Sequence, residues 1–567
     1  MYFSTGITPQ SQLSPDNPTK MQRHKMLYDS LKDADRLGDY ENILDLLSPP
    51  PAITSIAPPG KFKKIRVGII GGGLAGMSAA FELRKLGYDI TIFDPITERV
   101  GGRVYTYYFD KDKKFYGELG AMRIPVSHEI AWHYINLFNL NTQPFIQSDP
   151  NTFTYVRDTR VRNDPKGENI TGLIYPKFDL TIQERNTPWP QLRDDVIKHY
   201  FSTIPSEIRK QLLMVLPRYD YRLEAIANIS TRQAMKKYGL SDEAINLIAS
   251  VSPLEGALIN QSFELALNDE YTLDFMNLYR ISGGMVNLPL AFYNSLTSVQ
   301  PMEYGDIPLK NLGTVTWKGG YFVNGIFKSD KDKKVTLRYR HTDLNQYHLE
   351  DFDYVICSCP FPVLKSMDIF PKFSGRKMQA ISDVYYEDAQ KTLFLCSERF
   401  WELQGIRGGI SSTDEIIQTT HYPPPPDISE QNMAGDYASR AGVLLASYNI
   451  NQDAYALGNM IPEIRYLTIK NKLSLVHGLP SQYLDNIIIK AKSVDWVSEP
   501  WFYGAFQFFL PGQKQDFLYV SATPEYDNRM FFAGEHTSTK NGWIQGALQS
   551  GMLAANSVAH YSAINNT

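Results

Sequence analysis

Residues 64–94 read KIRVGIIGGGLAGMSAAFELRKLGYDITIFD, and the rest of the predicted fold is organised around this stretch. The mostly apolar run 65–70 predicts a buried parallel strand. The glycine-rich turn 71–76 follows it and leads into good helix formers over 75–86. A second apolar run, 89–93, predicts the next strand. The stretch therefore predicts a complete βαβ unit.

The glycine-rich turn satisfies the pattern G-x-G-x-x-G. Glycine allows a tight turn and a close approach to a pyrophosphate, which then rests on the positive N-terminus of the helix. Asp94 ends the second strand and can accept both hydroxyls of an adenosine ribose. The pattern alone is weak, but with its strands, helix and acid it predicts a dinucleotide site. We expect the contacts to come from Gly71, Gly73, Leu74, Ala75 and Gly76.

A second glycine pair follows shortly after Asp94, in the sequence Gly101-Gly102-Arg103. Read alone, it could be a basic hairpin turn. Directly behind the βαβ unit it resembles the FAD-dependent amine oxidase superfamily, in which the arginine supports the pyrophosphate. Nicotinamide dehydrogenases lack this element. The resemblance therefore implies FAD as the cofactor, with Gly102 and Arg103 among its contacts.

Composition places the chain among ordinary globular proteins and excludes several functions. Its 567 residues are too many for one compact core, so two or three domains are expected. A formal net charge of −4 gives no reason to expect nucleic acid or an anionic membrane as a partner. Three cysteines without a spaced framework argue against disulfides and a zinc site, and we expect no metal. No signal peptide is visible and no apolar run reaches the ~20 residues of a spanning helix, so a cytoplasmic location is expected.

The C-terminal region carries a second cofactor motif. Residues 530–538, MFFAGEHTS, predict a strand and a loop, and residues 542–547, GWIQGA, open a helix predicted to end near Val558. This arrangement resembles the second FAD half-site of the superfamily. The positive end of such a helix stabilises the anionic reduced flavin. The resemblance implies FAD contacts from Gly534, Glu535, Trp543, Ile544 and Ala547.

The order of these patterns predicts an α/β protein with the two-lobed FAD-dependent amine oxidase fold. It comprises a discontinuous Rossmann-like FAD domain, a mixed-sheet substrate domain and a helical insertion, for which Ser206, Ser230 and Ser241 are predicted caps. The predicted segments are an N-terminal arm with a proline-rich connector (1–60), FAD-binding parts (61–105, 281–388 and 516–567), substrate-domain parts (106–180 and 389–515) and the helical domain (181–280).

Residues 117–125, GELGAMRIP, resemble the segment of L-amino-acid oxidases that passes over the flavin and offers an arginine to the substrate carboxylate. The matching residue is Arg123. A planar guanidinium binds a carboxylate through two hydrogen bonds and so orients the α-carbon, as lysine could not. The alternative is a salt-bridged surface arginine. The resemblance also implies cofactor contacts from Gly120, Ala121, Met122 and Arg123 itself.

Other segments carry the same resemblance. Val323 matches a valine that contacts adenine, and Lys391 matches a catalytic lysine that holds a water near flavin N5. Tyr448 matches a tyrosine whose hydroxyl also binds the substrate carboxylate. Gly542 and Trp543 are expected to wall the amino side of the substrate.

The helical region holds one departure from the family. Where venom-type members carry a substrate-side histidine, the register places Asn268. The same register places Asn268, Asp269 and Glu270 where the side chain of the substrate approaches, with Asp220 and Glu224 upstream. Either one of these acids meets a cationic substrate tail, or the pocket is a wide aromatic one that takes Phe, Tyr, Leu and Met.

The resemblance implies FAD-dependent oxidation of an L-α-amino acid to the 2-oxo acid, ammonia and hydrogen peroxide, with oxygen as the acceptor. Three alternatives stay open: oxidative decarboxylation to an amide, as in proteins similar to tryptophan 2-monooxygenase, a dehydrogenase with poor oxygen reactivity, and a flavin-bearing binding protein without turnover. The expected partners are a small L-amino acid and oxygen, with no nucleic acid and no membrane. We also expect a homodimer or a higher homo-oligomer.

Overall fold

The predicted βαβ unit forms the centre of a five-stranded parallel sheet. The computed structural model of the chain describes residues 14–164, 166–329, 333–424 and 440–565, so the first thirteen residues of the predicted arm lie outside it. The strand Arg66–Ile70 lies between the strands Asp89–Asp94 and Tyr354–Cys357. The outer strands are Thr314–Gly319, beside Asp89–Asp94, and Met530–Phe532, beside Tyr354–Cys357. All five strands come from the three segments predicted to form the FAD domain.

Two helices pack against each other beside this sheet. The helix Leu74–Lys85 begins after Gly73 and is buried along almost its whole length. The C-terminal helix Ile544–Asn565 packs against it, and a Cβ at Gly551 would lie 2.2 Å from the carbonyl oxygen of Ala75. This close crossing buries both helices. The C-terminal helix extends beyond Val558, where the sequence predicted its end.

A seven-stranded mixed sheet forms the second lobe. Its strand Gly442–Ile450 is buried throughout and pairs in antiparallel fashion with Ala389–Cys396 and Thr419–His421. In that register Lys391 lies directly opposite Tyr448. The strand order of the sheet is Ile488–Asp495, Ala389–Cys396, Gly442–Ile450, Thr419–His421, Ile410–Thr413, Phe153–Val156 and Thr159–Arg162.

A helical region joins the two lobes. Ser230 and Ser241 cap their helices, because each hydroxyl accepts a hydrogen bond from a backbone N–H of the first turn. Ser206 is instead the first helical residue, and Pro205 precedes it at the N-cap. The α-helices are Ile182–Arg185, Trp189–Ser202, Ser206–Arg209, Tyr221–Ala227, Thr231–Tyr238, Asp242–Val251, Pro253–Ala257 and Phe263–Tyr271.

Shorter elements complete the described chain. Three smaller sheets contain the strands Ile124–Pro125, Leu278–Ile281 and Thr142–Pro144, the pair Thr106–Tyr108 and Tyr116–Glu118, and the pair Tyr386–Glu387 and Phe506–Gln507. A four-stranded sheet has the order His348–Phe352, Lys334–His341, Tyr321–Ser329 and Asp368–Phe370. The remaining α-helices are Lys20–Asp33, Tyr40–Leu47, Glu129–Leu137, Asn287–Thr297, Phe361–Lys365, Gly375–Asp383, Phe400–Leu403, Gln452–Gly458, Pro462–His477, Ser481–Ile487 and Tyr519–Ala522.

Neither a membrane-spanning helix nor a cluster of metal ligands is present among the described residues. None of the helices in that part of the chain has the length and apolar composition that crossing a membrane requires. Within the same residues no group of three or more His, Cys, Asp or Glu side chains could hold a metal ion. The three cysteines are free thiols.

Candidate active site

A cavity of about 430 Å³ runs from the glycine-rich turn to the paired strands that carry Lys391 and Tyr448. Segments from both ends of the chain and from the middle line it. Its lining includes most of the residues that the sequence singled out: Gly71, Gly73, Leu74, Ala75, Asp94, Gly102, Arg103, Gly120, Ala121, Met122, Arg123, Asp269, Val323, Lys391, Tyr448, Gly534, Glu535, Gly542, Trp543, Ile544 and Ala547. Gly76, Asn268 and Glu270 are not in this lining.

The glycines of the first turn divide into two kinds. A Cβ at Gly73 would meet no atom within 4 Å, so this glycine leaves open space directly at the N-terminus of the helix Leu74–Lys85. A Cβ at Gly76 would lie 2.1 Å from the carbonyl oxygen of Gly71. Gly76 therefore allows the turn and helix to pack, whereas Gly73 keeps room for a ligand.

Asp94 closes this end of the cavity. Its carboxylate accepts a hydrogen bond of 2.9 Å from the backbone N–H of Ile96, and burial raises its pKa to about 6. A carboxylate beside the open turn is placed to accept hydroxyl groups of a ribose.

Glu535 joins the two cofactor motifs in the middle of the cavity. Its carboxylate pairs with Arg103 at 2.9 Å and also accepts a hydrogen bond of 3.0 Å from the backbone N–H of Gly542. The N-terminal G-G-R element and the C-terminal helix are thereby held together. The N-terminus of the helix Ile544–Asn565 lies at this point, with Ile544 and Ala547 lining the cavity.

Arg123 is a buried cation in an aromatic surrounding. Its guanidinium carbon lies 5.0 Å from the ring centre of Phe275, and its Nη1 donates a 2.9 Å hydrogen bond to Gln147. No ion pair links it to a carboxylate of the described residues, and Asp269 acts on it through charge at longer range. Burial lowers the pKa of Arg123 to about 10, so the side chain stays charged. The arginine is not the salt-bridged surface residue of the alternative interpretation.

Lys391 and Tyr448 lie beside each other on neighbouring strands. The Lys391 Nζ lies 4.5 Å from the ring centre of Tyr448 and donates a 2.7 Å hydrogen bond to the carbonyl oxygen of Gly120. Burial lowers the pKa of Lys391 to about 7, since the charged amine is desolvated and Arg123 repels it. Burial raises the pKa of Tyr448, which keeps its hydroxyl protonated.

Trp543 and Asp269 form the opposite wall. The indole N–H of Trp543 donates a 3.2 Å hydrogen bond to Asp269. Behind them, Asp274 pairs with Lys540 at 2.7 Å and with His128 at 3.1 Å, all fully buried. Burial and the charge of Asp274 raise the pKa of Asp269 to about 7. Burial alone would raise the pKa of Asp274, but Lys540 and His128 hold it well below the usual range.

Two of the expected substrate-side residues lie away from the cavity. Asn268 donates a 2.8 Å hydrogen bond to the carbonyl oxygen of Leu212, and Glu270 pairs with Arg193 at 2.7 Å. Successive residues of a helix are about 100° apart around its axis, so only one of three consecutive positions meets the cavity. That position is Asp269. The predicted register brought the correct helix to the cavity, but the prediction that Asn268 and Glu270 face the substrate is wrong.

Three further residues belong to the site and were not predicted. Gln147 holds Arg123, while Glu255 and Gln261 line the cavity on its helical side. They lie on a loop and around a five-residue helix, where no spacing or motif marks them.

The comparisons with known proteins agree with this geometry. The family model described as flavin-containing amine oxidoreductase matches residues 74–559. The chain belongs to the flavin-containing amine oxidoreductase family. This confirms the superfamily that the motifs resembled and shows that the chain is an oxidoreductase.

Curated relatives of the chain have names that state a more specific activity than the family description does. The chain is 27% identical over 529 residues to an L-amino-acid oxidase of Sistrurus catenatus edwardsii, covering 93% of this chain and 92% of that protein. It is also 27% identical over 534 residues to an L-amino-acid oxidase of Pseudechis australis. A solved structure of wild-type putrescine oxidase bound to putrescine has a TM-score of 0.64, with 18% identity over 87% of this chain and 98% of that one. This likeness confirms the predicted fold.

FAD is the cofactor that these findings imply, and the cavity fits it. The open space at Gly73 would accept a pyrophosphate and Asp94 would accept ribose hydroxyls, while the helix that begins at Ile544 has its N-terminus at the cavity. The residues present would therefore hold an extended dinucleotide from one motif to the other.

Proposed function

We propose that this protein oxidises an L-α-amino acid with FAD, giving the 2-oxo acid, ammonia and, with oxygen as acceptor, hydrogen peroxide. The observation that carries the proposal is the buried guanidinium of Arg123, which has no ion pair with a carboxylate of the described chain. A buried charge without a counterion is costly, so such a group is kept where an anionic ligand supplies the missing charge. The α-carboxylate of an amino acid is such a ligand.

Neighbouring residues fit the same ligand. The hydroxyl of Tyr448 is protonated and lies on the strand next to Lys391, so it can donate a second hydrogen bond to the carboxylate. Trp543 is held in place by Asp269 and bounds the other side of the substrate. These contacts orient the Cα–H bond and exclude water from it.

Bound FAD supplies the acceptor for the two electrons that leave the substrate. The protein contributes orientation and charge. Lys391, which the resemblance assigns to a water near the reacting atoms, is half-neutral near its pKa of about 7 and can therefore donate or accept a proton at Nζ. The substrate ammonium must also lose a proton, and Asn268 cannot accept it, because its side chain lies away from the cavity.

The proposal is tested by mixing the FAD-loaded protein with substrates in the absence of oxygen and following the flavin absorbance. L-amino acids should bleach the flavin, whereas the D-enantiomers and the corresponding amines without a carboxylate should do so far more slowly. Admission of oxygen should then yield hydrogen peroxide and a 2-oxo acid, identified by mass. Faster bleaching by the amines would contradict the proposal. An amide as the product would favour the decarboxylating alternative.

A further inference from the structure

The helical side of the cavity contains hydrogen-bond acceptors that lack donors. Glu255 and Gln261 both line the cavity and both are more than nine-tenths buried. The Oε2 atom of Glu255 and the Oε1 atom of Gln261 accept no hydrogen bond from the described residues. Buried acceptors are rarely left unpaired, because burial removes the water that would otherwise donate hydrogen bonds to them. A ligand with several N–H donors would satisfy both.

The surrounding contacts fix these two side chains and keep their acceptors available. The other carboxylate oxygen of Glu255 pairs with Arg193 at 3.1 Å. Arg193 also pairs with Asp194 at 2.6 Å and with Glu270 at 2.7 Å, so one guanidinium serves three carboxylates. The amide nitrogen of Gln261 donates to Glu387, which turns its oxygen away from that carboxylate. Arg193 is thus shared among three carboxylates, and Glu255 keeps one carboxylate oxygen without a donor.

The other charged residues of the cavity are also separated by sign. Asp269 adds a second carboxyl group to the lining of this side, with Trp543 as its donor. Arg123 and Lys391, by contrast, lie with Tyr448 at the carboxylate-binding side. The cavity thus has a cationic side and an acidic side.

A second cavity continues the acidic side outward. Gln261 and Ile450 line both cavities, and the second is further lined by Asp414 and Asp453. Its cation, Arg157, lies 3.5 Å from Glu243. A cleft lined by one sign of charge attracts ligands of the opposite sign.

We propose that the acidic side of the cavity binds a cationic side chain, so that the substrate is an L-α-amino acid ending in an ammonium or a guanidinium group. This inference rests on the proposed function. Arg123 would hold the α-carboxylate, while Glu255, Gln261 and Asp269 would accept the N–H groups of the distal cation. An ammonium offers three donors and a guanidinium five, whereas an apolar tail would leave the acceptors of Glu255 and Gln261 unpaired.

The first test uses the unmodified holoenzyme and isosteric pairs of substrates. L-arginine is compared with L-citrulline, which replaces the guanidinium by a neutral urea. L-lysine is compared with L-2-aminoheptanoic acid, which replaces the ammonium by a methyl group. At least one charged member should exceed its neutral partner in kcat/KM by about ten- to a hundredfold. A neutral member that equals or exceeds its charged partner in both pairs would overturn the inference.

The second test uses two variants that remove one negative charge from the same arginine. Glu255→Gln should lower the charged-over-neutral preference by about tenfold, mainly through a higher KM for the charged substrate. Asp194→Asn is the matched control, because Asp194 contacts Arg193 but does not line the cavity. It should keep the preference. Equal losses in the two variants would show that the field of the cluster, and not contact with Glu255, sets the preference, and the contact would be rejected.

The two proposals fail in different ways. If neutral L-amino acids reduce the flavin and the basic ones do not, the proposed function stands and the cationic-substrate inference falls. If no L-amino acid reduces the flavin, both fall. Should Glu255→Gln fail to fold, the isosteric pairs still decide.

Discussion

Arg123 is the residue whose environment most restricts the chemistry of the site. It is buried among Phe145, Phe275 and Tyr448, and Gln147 satisfies one edge of its guanidinium. An arginine buried for stability alone would be expected to have a carboxylate partner. The charge is therefore available to a ligand.

Arg123→Ala should remove the carboxylate contact of the substrate. Removing one partner of a desolvated ion pair costs about 3–5 kcal/mol, so kcat/KM for an L-amino acid should fall on the order of a hundredfold or more. Oxidation of the matching amine, which has no carboxylate, should fall far less. Arg123→Lys keeps the charge but cannot make two parallel hydrogen bonds to the carboxylate, so its kcat/KM should lie between those of the wild type and Arg123→Ala. Equal losses for amino acid and amine would exclude this role.

Lys391→Met should act on the reaction with oxygen. The resemblance assigns Lys391 a water near flavin N5, and its hydrogen bond to the carbonyl of Gly120 holds the amine in place. Stopped-flow measurements should show that reoxidation of the flavin slows more than its reduction by substrate. Because burial lowers the pKa of Lys391 to about 7, the wild-type oxidative step should change with pH around that value, and the variant should lose this change. An unchanged oxidative step would remove Lys391 from the site.

Motifs fixed the register at two residues of the predicted site. Lys391 and Tyr448 were each matched to a strand of the family, and the structure shows that these strands pair and place the two residues opposite each other beside the cavity. Their roles stay predictions. Prediction failed for Asn268 and Glu270, since a helix presents one residue in three or four to a cavity and periodicity did not show which one. Glu255 and Gln261 carry no motif and could be found only from the structure.

At the scale of elements, Gln545 links three parts of the chain. Its side-chain oxygen accepts hydrogen bonds of 3.0 and 3.2 Å from the backbone N–H groups of Ile130 and Ala131, at the start of the helix Glu129–Leu137. Its side-chain nitrogen donates a hydrogen bond of 2.8 Å to the carbonyl oxygen of Leu47. The first N–H groups of a helix have no partner within it, so this glutamine supplies one from the C-terminal helix.

Gln545→Leu should therefore lower the melting temperature of the FAD-saturated protein. The change leaves two N–H groups and one carbonyl buried without partners, at about 1–3 kcal/mol for each unsatisfied group. Gln549→Leu, one turn further along, removes a single hydrogen bond to the carbonyl of Leu46 and should cause a smaller shift. The two shifts are compared by scanning fluorimetry. Equal shifts would contradict the linking role.

A pH-sensitive carboxyl pair lies at the edge of two paired strands: Asp388 directly precedes Ala389–Cys396, and Asp495 ends Ile488–Asp495. Burial raises the pKa of Asp388 to about 7, and the nearby charge of Asp495 adds to the effect. The folded state thus holds a proton that the unfolded state has released, so this contribution to stability is present at low pH and is lost as pH rises through about 7. Asp388→Asn imitates the protonated form. Its melting temperature relative to the wild type should increase between about pH 5 and about pH 8. A constant difference across that range would contradict the assignment.

Element boundaries were predicted best where capping was visible. Ser230 and Ser241 cap their helices as expected, whereas Ser206 does not, because Pro205 takes the N-cap and its fixed φ already suits a helix start. The end of the C-terminal helix was placed too early near Val558. That helix continues because its later turns are held by packing, with Ala559 and Ser562 still buried.

At the scale of the whole molecule, the cofactor cavity is assembled from distant parts of the sequence. Residues near 71, 121, 323, 391, 448 and 534 line one space, so no single segment contains the site. The FAD half-sites could be predicted because each carries its own motif. The depth of the cavity and its acidic side could not, since they depend on how the helical region packs between the two lobes. The predicted cytoplasmic location and homo-oligomer stay predictions.

Because the N-terminal and C-terminal cofactor motifs both line this cavity, FAD should stabilise the whole molecule. A ligand that binds only the folded state adds RT ln(1 + [L]/Kd), about 2.7 kcal/mol at a hundredfold excess over Kd. Removal of FAD should lower the melting temperature, and added FAD should restore it in a concentration-dependent way. Gly73→Val tests the origin of the effect: its Cβ meets no protein atom within 4 Å, so the apoprotein should melt like the wild-type apoprotein while losing the response to FAD. Gly76→Val is the contrasting control, because its Cβ would lie 2.1 Å from the Gly71 oxygen and should destabilise the protein with or without FAD. Full flavin occupancy in Gly73→Val would show that the pyrophosphate does not bind at this turn.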